Sequence, residues 1–182
     1  MNKKVLGIAV ALFLAAMFVA PAMAKPATKI EGVTVTAVVT QTPDPGYPRF
    51  VSDDTIGHSK GTSVGTVTVN IPGKTPLNGI WNGEWVTMSN WKEDPVVVNI
   101  RGKVVWTFTG EGTTGTFVGL VQRKIIGFPP DPPTVIPYFE DNVVLHGTGD
   151  FQGQTLKLTF EGYPPVIQEG YLIMPNNQNK EP

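Results

Sequence analysis

Apolar and polar residues alternate with a period of two along much of the chain beyond residue 30. In the clearest example, Leu156, Leu158 and Phe160 are separated by lysine and threonine residues. A period of two places successive side chains on opposite faces of an extended strand. The pattern therefore predicts strands with one buried face and one solvated face. Comparable alternation is found in the segments 33–39 and 66–71.

Further strands are predicted where β-branched and aromatic residues are concentrated between turn residues. They are the segments 79–88, 96–101, 103–109, 116–126, 142–148 and 170–174. Arg101-Gly102-Lys103 separates two of these runs, which predicts a tight hairpin, and the glycine-rich segment 110–115 predicts a looser one. With 20 glycines and 17 prolines, the chain has little room for long helices beyond its N-terminus.

Eight or nine short strands at hairpin spacing predict an all-β fold, a single antiparallel β-barrel of about eight strands. We favour the barrel because closure removes the edge strands that promote aggregation. A β-sandwich is the alternative. The predicted domain spans residues 25–175, which is enough chain for one core, and a flexible polar tail follows at 176–182.

The N-terminus has the layout of a helical secretory signal peptide over residues 1–24. Lys3 and Lys4 precede an uncharged apolar run, and Ala22 and Ala24 are the small residues that signal peptidase requires. Cleavage after Ala24 predicts a secreted or extracytoplasmic protein. The apolar run is shorter than the ~20 residues that cross a bilayer, although an uncleaved anchor is the alternative. After cleavage we expect no stable membrane insertion.

The composition of the chain excludes some classes of binding partner and of catalytic chemistry. The chain carries 14 Lys and Arg against 15 Asp and Glu, and removal of the signal peptide makes it slightly more acidic. No basic stripe is present, so we expect no nucleic-acid partner. The absence of cysteine excludes disulfides, thiol nucleophiles and cysteine-ligated metal sites. No cofactor motif is present, no cofactor is expected, and the sequence does not indicate an oligomeric state.

Two long proline-containing segments interrupt the strand pattern, one from Thr42 to about Thr62 and one from Phe128 to Pro137. Proline withholds a backbone donor from a sheet and fixes an extended conformation. Both segments are therefore predicted to be loops. Loops of this length are often lids or binding loops, and the alternative is a rigid surface crossover.

Titratable residues give weak signals for chemistry. His58 lies near Asp53 and Asp54, so a metal site is conceivable, but a solvated loop is favoured and no metal is expected. Glu140-Asp141 is one of three adjacent acidic pairs. Adjacent residues on a strand point to opposite faces, so a neighbouring pair does not form an acid–base dyad. Two pairs that converge in space would bind calcium or flank a glycosidic bond, but solvated turns are the favoured interpretation.

Aromatic residues give the candidate site. Trp81 and Trp85 share a face of one predicted strand, and Trp106 and Phe108 share a face of another. Such faces form a core, line an apolar cavity or, if they point outward, make a platform for a sugar ring. With His146, which ends a strand, these four aromatic residues are the candidate ligand-binding residues.

A short glycine-rich repeat suggests bent strands. Gly115–Gly119 and Gly149–Gly153 each place a phenylalanine between glycines, which would let strands bend while the ring fills the interior. The segment His146–Gly153 resembles the glycine-rich strand pairs of barrels related to allene oxide cyclase and dirigent proteins. It is also similar to segments of uncharacterised secreted prokaryotic proteins. This resemblance implies binding of small apolar molecules and assigns no catalytic residue.

Two functions from different classes follow. The first is an exported, non-enzymatic barrel that binds a small, largely apolar ligand or acts as a surface interaction module. The second is a cyclase- or isomerase-type enzyme that acts inside the barrel. An internal cavity that contains Arg101, Arg123 or His146 would favour the enzyme, whereas a purely apolar lining would favour binding.

Overall fold

A computed structural model describes residues 27–44, 49–51, 56–110, 112–127 and 137–175. The predicted signal peptide, Asp53, Asp54, most of the second proline-rich segment and the predicted tail lie outside these ranges. None of the described residues belongs to a helix long and apolar enough to cross a membrane. The described chain forms nine strands: β1 (Thr28–Asp44), β2 (Arg49–Val51), β3 (Ile56–Asn70), β4 (Leu77–Asn90), β5 (Val97–Gly110), β6 (Thr113–Ile126), β7 (Tyr138–Gly149), β8 (Thr155–Gly162) and β9 (Gln168–Met174).

Eight of these strands close into an antiparallel barrel, as predicted. Strands β3 to β9 pair in chain order, and β1 pairs with β9 through its first half and with β3 through its second half. The short strand β2 pairs with the beginning of β3. The prediction of a loop from Thr42 to about Thr62 is therefore wrong for residues 49–51 and 56–62, which are in strands. Because the sheet is closed through β1, the alternative of a sandwich is excluded.

The alternating pattern is visible in the burial of each strand. Val67 and Val69 on β3 are 1 % exposed, whereas Thr66 and Asn70, which flank this segment, face solvent. Leu156 and Leu158 on β8 are likewise fully buried. Inward-facing residues of this kind form one continuous core cluster, and partly buried residues of β4 pack against it. The sequence prediction of half-buried strands is therefore confirmed.

One predicted turn is wrong. Arg101-Gly102-Lys103 does not form a hairpin, because β5 runs without a break through all three residues. Gly102 faces inward opposite Trp85, and a Cβ atom at this position would lie 2.8 Å from the carbonyl oxygen of Glu84. The glycine at position 102 therefore permits close packing inside the barrel rather than a reversal of the chain.

One end of the barrel is filled by three phenylalanines. Phe151 in the β7–β8 turn stacks on Phe117 with ring centroids 4.8 Å apart, and Phe108 packs edge-on against both rings. Gly115 and Gly147 make room for Phe151, since a Cβ atom at either position would lie within 2.7 Å of its side chain. Both phenylalanines of the glycine-rich repeat thus fill the interior, as the sequence predicted.

At the end of the barrel away from the phenylalanines, side chains fill the interior less completely along β3 to β6 than along β7 to β9. The strands β7 to β9 contribute branched residues to the interior, such as Val143, Leu145 and Leu158. At the positions of β3 to β6 that are in register with these residues, several of the inward-facing residues are glycines. The registered inward row Gly61, Trp85, Gly102, Val121 and Val143 illustrates the contrast. Glycine removes side-chain volume from the β3–β6 side, and a space results there.

Candidate functional site

A cavity of about 640 Å³ opens from the interior at the end opposite the phenylalanine cluster. Its volume lies within the range of about 300–1,000 Å³ that is typical of small-molecule sites. Most of its lining residues are aromatic, aliphatic or hydroxyl-bearing. The lining consists of Val39, Thr42, Ser59, Ser63, Trp81, Gly83, Glu84, Trp85, Thr87, Ser89, Trp91, Val98, Ile100, Gly102, Val104, Val121, Arg123 and Ile125.

Three tryptophans on β4 and its following turn dominate one wall. The indole N–H of Trp85 donates to Ser63 Oγ at 3.0 Å, and that of Trp91 donates to Ser89 Oγ at 2.9 Å. Each bond satisfies the polar edge of the indole and leaves its rings as apolar surface. The hydrogen bonds therefore hold two large aromatic side chains in fixed orientations at the cavity wall.

Trp81 lies deeper and is positioned by two glycines. Its indole N–H donates to the carbonyl oxygen of Val38 on β1 at 3.3 Å. A Cβ atom at Gly65 would lie 2.3 Å from that indole nitrogen, and one at Gly83 would lie 2.8 Å from the six-membered ring. Trp81 thus occupies space that any larger residue at these positions would take, and its ring forms the inner part of the wall.

An ion pair lies on the inner surface close to the cavity mouth. Arg123 on β6 donates from Nε and Nη2 to the two carboxylate oxygens of Asp141 on β7, at 2.6 and 2.7 Å. Gln168 on β9 adds a third bond to Asp141 Oδ2 at 3.0 Å. The Asp141 side chain is fully buried, whereas 31 % of the Arg123 side chain is exposed. Bidentate geometry of this kind fixes the plane of the guanidinium.

The ion pair belongs to a registered inward row near the mouth. Ser59, Thr87, Ile100, Arg123 and Asp141 face one another in sequence across five strands. The hydroxyl groups of Ser59 and Thr87 are hydrogen-bonded to each other. Val98 and Ile125 lie in the next inward row toward the mouth, and Val104 and Val121 lie deeper. Hydroxyl and guanidinium groups therefore form a polar band within a largely apolar lining.

The structure separates the predicted site residues into three groups. Trp81 and Trp85 line the cavity. Trp106 and Phe108 are each 2 % exposed and belong to the packed core, outside the lining. His146 is exposed on the outer wall, where its Nδ1 lies 3.2 Å from Thr155 Oγ1, so it does not reach the cavity. His146 therefore does not belong to the candidate site, in contrast to the prediction from the sequence.

The expectation of solvated turns is wrong for Asp141. Its neighbour Glu140 faces outward, as the alternation of a strand requires, but Asp141 faces the interior and is 5 % exposed. His58 lies on the outer face of β3 and is exposed. Within the described ranges, no three His, Cys, Asp or Glu side chains come together as a group that could hold a metal ion.

Trp91, Asp141 and Gln168 contribute to the site, although they were not among the candidates. Trp91 follows β4 in a polar turn, yet its bond to Ser89 places it against the mouth. Asp141, which also accepts a bond from Gln168, holds Arg123, a residue that the sequence indicated only as a possible enzyme residue. Arg123 and Asp141 are 18 residues apart, on two consecutive strands that pair with each other. This spacing was the one feature of the sequence that could have indicated their ion pair.

A second depression, of about 700 Å³, crosses the outer wall of β3 to β7. Its outward side chains include Met88, Asn99, Arg101, Gln122 and Lys124. No phenylalanine, tyrosine or tryptophan is among its described lining residues, and most of them are polar or charged. We assign the candidate site to the interior cavity because aromatic and aliphatic side chains enclose it.

Comparison with known proteins gives no relative: no family model, curated protein or solved structure matches the chain.

Proposed function

We propose that this protein is an exported, non-enzymatic barrel that binds one small, largely apolar molecule in the tryptophan-lined cavity. The observation that carries the proposal is the cavity itself, which lies inside a barrel closed at its other end by phenylalanines. An eight-stranded barrel is just wide enough to hold one small ligand when side chains do not fill it. Here glycines on β3 to β6 provide that space.

The chemistry of the lining supports an apolar ligand. The indole rings of Trp85 and Trp91 and the side chains of Val98, Ile100 and Ile125 would remove apolar ligand surface from water. Each square ångström of such surface contributes about 25 cal/mol to binding before the cost of association. The export signal predicted in residues 1–24 is consistent with a ligand met outside the cytoplasm.

Titration with N-phenyl-1-naphthylamine, a neutral apolar fluorophore, tests the proposal. Tryptophan emission should fall and probe emission should rise through energy transfer, with saturation at one probe per chain. Trp85→Ala should weaken binding more than Trp91→Ala, because Trp85 lies within the barrel wall and Trp91 lies at the mouth.

Leu120→Ala is the matched control, because Leu120 is an apolar residue on the outer wall and is 63 % exposed. It should leave probe affinity unchanged. If the wild-type protein shows no saturable energy transfer, or if Leu120→Ala weakens binding as much as Trp85→Ala, the cavity is not the site. A surface interaction module would then replace the proposed binding function.

Arg123 in the cavity is the one observation that favours a cyclase- or isomerase-type enzyme as a second candidate. A guanidinium can polarise a carbonyl group but stays protonated, so it does not serve as a general acid or base at neutral pH. Glu84, the other ionisable residue in the described lining, lies at an exposed position. Mass spectrometry of a ligand before and after incubation would reveal an isomerised product if the enzyme hypothesis is correct.

A further inference from the structure

We infer that Asp141 determines the charge of the ligand: the cavity accepts neutral molecules that carry a hydrogen-bond acceptor and disfavours anions. The inference rests on the proposed binding function and specifies its ligand class. It derives from the contacts of Arg123 and Asp141 at the cavity mouth.

The positive charge of Arg123 is compensated within the protein. Asp141 accepts two bonds from the guanidinium and one from Gln168, and its side chain has no exposure to solvent. A bound anion would meet Arg123 but would also lie near the Asp141 carboxylate. Attraction and repulsion then largely cancel, while the anion still loses its hydration in an apolar cavity. An ionised ligand is therefore disfavoured.

A neutral acceptor does not meet this penalty. A guanidinium has five N–H donors, and the hydrogen bonds that Arg123 makes with described residues use those of Nε and Nη2 toward Asp141. The ring of Phe139 lies 5.3 Å from Cζ of Arg123 and helps to fix its position. Donors therefore remain for a carbonyl, ester, ether or hydroxyl oxygen. The ligand class is an apolar skeleton with one such group.

Two fluorophores with the same aromatic skeleton test the inference. N-phenyl-1-naphthylamine is neutral, and 8-anilinonaphthalene-1-sulfonate is the same skeleton with a sulfonate group. Affinities are measured by energy transfer from tryptophan, and displacement of each probe by the other shows whether they share a site. The wild-type protein should bind the neutral probe at least about tenfold more tightly than the sulfonate. Equal affinities, or tighter binding of the sulfonate, would overturn the inference.

Asp141→Asn removes the compensating charge while it keeps the size of the side chain. The ratio of the sulfonate affinity to the neutral-probe affinity should rise at least about fivefold in the variant relative to the wild type. An unchanged ratio of the two affinities in a folded Asp141→Asn protein would contradict the role of Asp141.

A double variant, Arg123→Gln with Asp141→Asn, keeps the inference testable if the single variant does not fold. It carries neither charge, and it should retain the preference for the neutral probe. A preference for the sulfonate in the double variant would contradict the inference. Failure of the underlying binding function has a different signature, because the wild-type protein would then bind neither probe inside the barrel.

Discussion

The rings of Phe117 and Phe151 stack at a centroid distance of 4.8 Å, although one lies near the beginning of β6 and the other in the turn after β7. Through this contact the β7–β8 turn folds inward and covers the end of the barrel. The interior therefore has one end filled by side chains, and the cavity opens at the other end, which Trp91 and Arg123 border.

Phe151→Ala should remove this closure and destabilise the fold. Truncation of a buried phenylalanine leaves a cavity and typically costs about 3–5 kcal/mol. Phe151 is 6 % exposed and contacts two other phenylalanines. Urea denaturation measures the change, and Leu120→Ala on the outer wall should cost less than about 0.5 kcal/mol. Equal losses for the two variants would show that Phe151 does not contribute to the core.

Val121→Trp should block the cavity while the barrel remains folded. Val121 lines the cavity beside the core, so a larger ring can extend into space that is otherwise open. Affinity for N-phenyl-1-naphthylamine should fall at least about tenfold, and the far-ultraviolet circular dichroism spectrum should not change. Val118→Trp is the matched control on the outward face of the same strand. If both variants bind the probe as the wild type does, the ligand is not in the cavity.

Tyr138 should make the stability of the fold depend on pH in the alkaline range. Its hydroxyl donates to Glu161 Oε1 at 2.6 Å, and this bond raises the pKa of Tyr138 to about 12 from its usual 10. Because the folded protein holds the phenolic proton more tightly, the contribution of this bond to stability is complete below pH 10. It is lost as the pH rises from 10 through 12.

Thermal denaturation at several pH values measures this effect. The melting temperature of the wild type should exceed that of Tyr138→Phe by the largest margin near pH 8, and the margin should shrink toward pH 12. Tyr163→Phe is the control, because it keeps the bond between Tyr138 and Glu161. The difference in melting temperature between Tyr138→Phe and Tyr163→Phe should therefore shrink toward pH 12 as the difference from the wild type does. A margin that stays constant between pH 8 and pH 12 would refute the assignment.

Export predicts a specific N-terminus. If residues 1–24 are a signal peptide, the mature chain begins at Lys25, after the small residue Ala24. Intact-mass spectrometry of protein recovered from the extracytoplasmic fraction measures the cleavage site. A species that retains Met1–Ala24 would instead indicate an N-terminal membrane anchor.

The fold could be predicted from the sequence because the alternation of side chains is a local property. Val67, Val69 and Leu156 sit in segments where β-branched or aliphatic residues alternate with polar ones, and each is fully buried. Gly102 was interpreted wrongly because glycine is used both in turns and where backbone or side chains approach closely. Only the pairing of Gly102 with Trp85 distinguishes the second use from the first.

The cavity depends on strand register, which the sequence pattern does not contain. Trp85 lies between Gly61 and Gly102 on its two neighbouring strands, and this alignment leaves space inside the barrel. The burial of Asp141 similarly depends on residues that are distant in the sequence and bond to it in the fold. An acidic residue on a strand is usually solvated, and here the bonds from Arg123 and Gln168 make an interior position favourable.

The most direct test of a ligand site inside the barrel is a crystal structure of the mature protein with bound 1-bromonaphthalene. Anomalous scattering locates the bromine without reference to the protein density. We predict one strong bromine peak in the cavity between Trp85 and Ile100, with the Arg123–Asp141 pair intact. Bromine peaks confined to the outer wall, around an interior filled by side chains, would contradict the proposed function.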